Sequence, residues 1–137
     1  MLNIVIYERI KSVNRVPFLI TRYRKAAAQG SAESQALLGF VYYYGLGVPQ
    51  DYKEAEAWTR TAAENGYAEA QHNLGWMYGK GQGVPQDWVQ AHKWLSVAVS
   101  RGEEGAEMKL KAAEVNMTPK QIEEARGLAR DWLAKHK

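Results

Sequence analysis

One stretch of this chain recurs at a fixed distance, and the recurrence limits the possible folds more than any other feature. Gln35-Ala-Leu-Leu38-Gly39-Phe-Val-Tyr42-Tyr-Tyr-Gly45-Leu-Gly47-Val48-Pro49-Gln50-Asp51 is matched, 36 residues later, by Gln71-His-Asn-Leu74-Gly75-Trp-Met-Tyr78-Gly-Lys-Gly81-Gln-Gly83-Val84-Pro85-Gln86-Asp87. The same offset links Ala55 to Ala91, Trp58 to Trp94, Ala62 to Ala98 and Gly66 to Gly102. It also reaches outward, from Ala26 and Gly30 at one end to Ala106 and Leu110 at the other. A period of this size describes a supersecondary unit that cannot bury its apolar face alone and must stack on its neighbours.

Each period predicts two helices. In the first, from about Glu33 to Tyr44, Leu38, Gly39 and Tyr42 fall on one face, as do Leu74, Gly75 and Tyr78 in the next copy. A glycine inside a helix costs about 1 kcal/mol against alanine, so its recurrence predicts close approach by a neighbouring backbone. Gly45 and Gly81 suit left-handed C-caps. The second helix begins after Asp51 with Glu54, or after Asp87 with Gln90, both capping-box pairs. Ala55, Trp58 and Ala62, with Ala91, Trp94 and Ala98, set small residues beside one large ring. These elements predict an all-α, right-handed superhelical solenoid of seven or eight helices, forming one domain over residues 1–137.

Composition excludes several alternatives. With 46% hydrophobic residues the chain can offset the entropy of ordering, so wholesale disorder is excluded. It has no cysteine, hence neither disulfides nor thiolate chemistry. No apolar run is long enough to span a membrane as a helix, and Met1–Tyr7 lacks the basic flank of a secretory signal. A cytoplasmic protein is expected, with a periplasmic or secreted one whose signal has been removed as the alternative. The net charge of +3 is concentrated in the first thirty residues, where Arg9, Lys11, Arg15, Arg22, Arg24 and Lys25 face only Glu8.

The pattern Leu-Gly-x-x-Tyr, Gly-x-Gly-Val-Pro-x-Asp and Ala-x-x-Trp at this period resembles the Sel-one-like repeat family, a relative of the tetratricopeptide repeat. Full copies occupy residues 32–67 and 68–103. Met117-Thr118-Pro119-Lys-Gln121 resembles the family's closing helix, with Thr118 as N-cap, Pro119 at N1 and Ile122, Ala125, Leu128, Ala129, Trp132 and Leu133 as its apolar stripe over 118–137. Residues 104–117 make a partial repeat: Lys111 stands where Gly39 and Gly75 stood, Glu114 replaces the tyrosine, and the Gly-x-Gly-Val-Pro loop is missing. Residues 1–31 make a degenerate first repeat or cap. There Leu2 and Ile6 fall in register with a first helix, and Asn14 to Pro17 start a second that reaches Gln29.

Sites for covalent chemistry are not apparent. The Gly-x-Gly loops follow helices and lack the Gly-Lys-Ser/Thr ending of a phosphate loop; Asp51 and Asp87 are accounted for as caps. His72, His92 and His136 share no metal-ligand spacing, and no serine sits in a nucleophile motif. The chain is therefore expected to be no enzyme, and to need neither metal nor cofactor. What remains is the face of the first helices opposite Leu74, Gly75 and Tyr78. It carries Glu69, Asn73, Trp76 and Lys80, and one period earlier Glu33, Leu37, Phe40 and Tyr44. In the family's fold such faces line a concave groove. This predicts an adaptor that grips a peptide or helix of another protein, with the aromatic rings as exposed anchors. Two other expectations are kept beside it: nucleic-acid or anionic-surface binding through the basic N-terminal segment, and a homodimer formed through that segment.

Overall fold

The computed structural model describes residues 16–137, which fold into α1 (Val16–Ala28), α2 (Ala32–Tyr44), α3 (Tyr52–Glu64), α4 (Ala68–Lys80), α5 (Trp88–Ser100), α6 (Ala106–Glu114) and α7 (Pro119–Lys135). There is no strand among the described residues. The period is visible in the backbone itself. Helices α1, α3 and α5 begin 36 residues apart, as do α2 and α4, and all five are 13 residues long. Helix α1 is thus the second helix of the degenerate first repeat. The expected helix around Leu2 and Ile6 lies outside the described residues.

Local chemistry starts and stops these helices. Ser31 accepts from the Ser34 amide, Asp51 from Lys53 and Glu54, and Asp87 from Gln90. Only Thr118 forms the full reciprocal box, its hydroxyl accepting from the Gln121 amide while the Gln121 side chain accepts from its own; at Asp51 and Asp87 only the aspartate arm forms. Gly45 and Gly81 close α2 and α4 at φ 66° and 67°, a left-handed conformation that costs glycine little.

Each helix packs on the next: α1 on α2, α2 on α3, α3 on α4, α4 on α5, α5 on α6, and α7 back onto α5. The recurrent mid-helix glycine makes two of these contacts possible. A Cβ on Gly39 would collide with the Thr59 side chain, and one on Gly75 would sit 2.7 Å from Leu95 Cγ and 3.0 Å from the Ala91 carbonyl. The largest core cluster joins Ala62, Ala63, Ala70, Leu74, Trp94 and Val97 to Ala129 and Trp132 of the closing helix. There the Trp94 and Trp132 rings meet edge to face at 5.5 Å. Buried glutamines repeat as well: Gln35 donates to the Ala27 carbonyl and Gln71 to the Ala63 carbonyl, each at 3.1 Å. Burying an amide is tolerated when it satisfies a helix-end carbonyl in this way.

Candidate functional site

The eight residues assigned to the inner wall do not form one continuous surface. Phe40 and Asn73 are buried, at 4% and 6% exposure, which corrects the expectation that both line an open groove. A helical wheel fixes the direction of a side chain but not the proximity of the next helix, and that proximity buries these two. The Phe40 ring packs against Tyr44 at 4.8 Å, and Tyr44, half-buried, meets Tyr43 at 4.9 Å. Burial, reinforced by Tyr43 and Tyr52, raises the Tyr44 phenol above its ordinary range.

Two separate features remain. Glu33, Leu37, Phe40 and Glu69, with Ala36 and Tyr67, line a notch of about 30 Å³, room for little more than water. Its character is acidic. Burial raises Glu69, and Tyr67 is raised by burial and then by Glu69, Glu33 and Glu103.

The second is larger. A groove of about 440 Å³ opens between α4, α5 and α6, bounded by Trp76, Lys80, Gln86, Trp88, Leu95, Lys109, Ala112 and Asn116 among others. Its origin can be followed residue by residue. One period earlier, Tyr43 of α2, Ala55 of α3 and Met77 of α4 close the corresponding seam as a buried cluster. The residues 36 positions on are Gly79, Ala91 and Ala113, and all three line the groove. Exchanging tyrosine for glycine and methionine for alanine removes the two side chains that fill the seam. Ala112, in place of Trp76, leaves one flank of the Trp76 ring uncovered by a counterpart. Trp88 moves partly into the gap, its ring 3.1 Å from where a Cβ on Gly79 would lie.

Trp76 is half-buried between two ammonium groups. Lys80 Nζ lies 4.8 Å and Lys109 Nζ 4.4 Å from its ring centroid, within cation–π range. Lys109 occupies the position of Asn73 one period on. Burial lowers the Lys109 ammonium below its ordinary range. Among the described residues no carboxylate lines the groove. Lys109, Ala112 and Asn116 escaped the sequence reading because the partial repeat departs from the pattern, and the register alone, carried to Lys109 and Asn116, marks them. Trp88, in the full second repeat, stands where Tyr52 stood and was passed over because the helical-face argument covered only the first helix of each repeat.

One further cluster has the outline of a catalytic relay. Ser96 Oγ lies 3.2 Å from His92 Nδ1, and His92 Nε2 lies 2.9 Å from Glu114 Oε1, which Arg126 also approaches at 3.7 Å. His92 is 1% exposed. Ser96 sits mid-helix in α5, where backbone amides are spent on helical hydrogen bonds and none is free to hold an oxyanion. The cluster ties α5 to α6 and, through Arg126, to α7. Among the described residues no group of three or more His, Cys, Asp or Glu is placed to hold a metal ion. Nor is any helix long and apolar enough to cross a membrane.

Of the basic N-terminal residues, Arg22 and Lys25 are exposed on α1, and Arg24 donates to the Tyr42 hydroxyl. Arg9, Lys11 and Arg15, like the segment proposed to form a dimer, lie outside the described residues.

Repeated helix pairs, recurrent contact glycines and left-handed caps define an α-helical repeat solenoid. The model of the Sel1 repeat matches residues 23–31, 32–67 and 68–103, and the chain belongs to this family. Family members are generally protein-interaction modules. Among solved structures the chain is similar to a protective antigen present in uropathogenic Escherichia coli strains and displaying an SLR fold. The match has 35% identity over 85% of this chain and 25% of that one, at a TM-score of 0.81. It is also similar to a Sel1 repeat protein from Oxalobacter formigenes, with 40% identity over 71% of this chain and 28% of that one, at a TM-score of 0.69. The chain thus spans about a quarter of the length of these relatives. None of the curated proteins matches it.

Proposed function

We propose that this chain is a protein-interaction module that holds a peptide segment of a partner in the groove between α4, α5 and α6. The observation that carries this reading is the replacement of Tyr43 and Met77 by Gly79 and Ala113, which leaves an apolar seam open where the preceding one is packed. Trp76 and Trp88 line it with partly exposed rings, the kind of amphipathic surface enriched at binding hot spots. No covalent step or cofactor enters this reading. Of the eight residues assigned from sequence, Trp76 and Lys80 belong to the binding surface. Glu33, Leu37, Phe40 and Glu69 line the acidic notch, while Tyr44 is half-buried and Asn73 buried, both outside the groove lining.

The test is to fill the seam. Ala113→Met restores the side chain that closes the preceding seam. Peptides selected from a displayed random library against the native chain should lose about tenfold or more in affinity for this variant and for Trp76→Ala. Both variants should keep native helicity. Selected peptides that bind Ala113→Met as well as the native chain would place binding elsewhere.

A further inference from the structure

The charges around the groove specify its occupant more narrowly. Its floor is apolar and, among the described residues, its only charged side chains are Lys80 and Lys109. Four other cations pair with carboxylates, Arg60 with Glu56, Lys111 with Glu107, Arg126 with Glu114 and Arg130 with Glu123, while Lys93 and Arg101 rest singly over Trp94 and Trp132. Neither groove lysine has such a carboxylate within ion-pair distance among the described residues; each rests over the Trp76 ring instead. We infer that the groove takes an acidic segment of a partner protein, with one large apolar side chain against Trp76 and Trp88 and flanking carboxylates on Lys80 and Lys109. This rests on the groove being the binding site.

Three observations favour that occupant. Lys109 is partly desolvated, so an incoming carboxylate gains more there than at a fully hydrated lysine. A long polyanion such as nucleic acid would meet only two cations along the described lining of the groove, fewer than its usual run of phosphate contacts needs, whereas a short acidic segment needs no more. The chain's own first 15 residues carry three basic side chains against one acidic, the wrong sign for this groove.

The experiment titrates the full chain with three short capped peptides sharing a central leucine-phenylalanine pair. The pair is flanked by glutamates, by glutamines or by lysines, and binding is followed by tryptophan fluorescence and calorimetry. The glutamate peptide should bind about tenfold tighter than the glutamine peptide, and the lysine peptide most weakly. In the double variant Lys80→Gln/Lys109→Gln that preference should shrink to about threefold or less, and it should fall with added salt. Equal binding of the glutamate and glutamine peptides, with both lost in Ala113→Met, overturns the acidic preference and leaves the groove standing. A glutamate preference that survives in Ala113→Met overturns both, as does absence of any binding at about 1 mM. Tighter binding of an oligothymidylate through the same two lysines would overturn the peptide in favour of nucleic acid.

Discussion

The seam between α2, α3 and α4 and the seam between α4, α5 and α6 are built on one 36-residue register, yet one is packed and the other is open. In the first, Met77 is fully buried against Tyr43 and Ala55, and the Tyr43 hydroxyl donates to Gln82 at 2.7 Å, tying α2 to the loop after α4. In the second, Gly79 and Ala113 stand at the same register and a groove remains. The hinge points of the architecture are alike in both: a left-handed glycine closes α2 and α4, and Gln50 and Gln86 each donate to the carbonyl two residues before that cap's glycine, at 2.8 Å. The comparison teaches that in this fold the backbone repeat and the surface are set by different residues. Two side chains decide whether an inter-repeat seam is closed core or open groove, and the frame tolerates either.

The sharpest way to break this comparison is to truncate the equivalent rings. Phe40 and Trp76 share one register, but Phe40 is buried beside the closed seam and Trp76 borders the open one. Phe40→Ala should cost about 3–5 kcal/mol, the range for removing a buried aromatic ring. Trp76→Ala should cost about 1 kcal/mol, mainly the loss of two cation–π contacts, while reducing peptide binding. Urea denaturation of both variants checks this. Equal destabilisation would mean that the two seams are packed alike and that the groove is not a distinct region.

Titration separates the two regions as well, because α4 carries a partly buried imidazole beside Glu103 at a position where α2 has none. His72, whose register equivalent is Ala36, lies 3.7 Å from Glu103 and has one ring nitrogen buried without a partner. Burial, reinforced by Lys109, pushes its pKa down to about 4 from 6.5. The folded state therefore resists protonation that the unfolded state accepts. The neutral ring's contribution is intact above about pH 6.5 and is lost as the pH falls from there towards 4. Raised carboxylates such as Glu69 and Glu103 act in the opposite sense at low pH, so the readout is the difference between native chain and His72→Gln. That difference should change by about 2–3 kcal/mol across this window. A pH-independent difference would show that α6 leaves His72 solvated.

Much of the frame was legible in the sequence because it rests on residues whose chemistry is local. Capping aspartates, left-handed glycines and the Gly39/Gly75 contact each act within a turn or at one crossing, and their spacing sets the helices. The groove was only partly legible. Trp76 and Lys80 follow from the helical face, but Phe40 and Asn73 were assigned to the same face and are buried by neighbours whose approach the face does not encode. The groove itself depends on differences between copies, Tyr43 against Gly79 and Met77 against Ala113, whereas recognising a repeat depends on their agreements. Lys109 lay in the degenerate copy, where register is the only remaining guide.

That degenerate copy supplies the last and smallest contrast. Gly75 and Lys111 occupy one register, and reading Lys111 as a departure predicts that α6 packs differently from α4. It does: the Lys111 side chain is 73% exposed and pairs with Glu107, while Gly75 is pressed against Leu95 and the Ala91 carbonyl. Gly75→Leu should therefore overpack the α4–α5 crossing and cost about 1–3 kcal/mol. The leucine's helix propensity offsets little of this, because the obstacle includes a backbone carbonyl that cannot rotate away. Lys111→Leu should shift stability by less than about 0.5 kcal/mol, since it removes only an exposed i,i+4 pair. Thermal unfolding of the two single variants reads both effects. If Lys111→Leu were as costly as Gly75→Leu, α6 would be held against α5 as closely as α4 is, and the space assigned to the groove would have to be occupied by the fold itself.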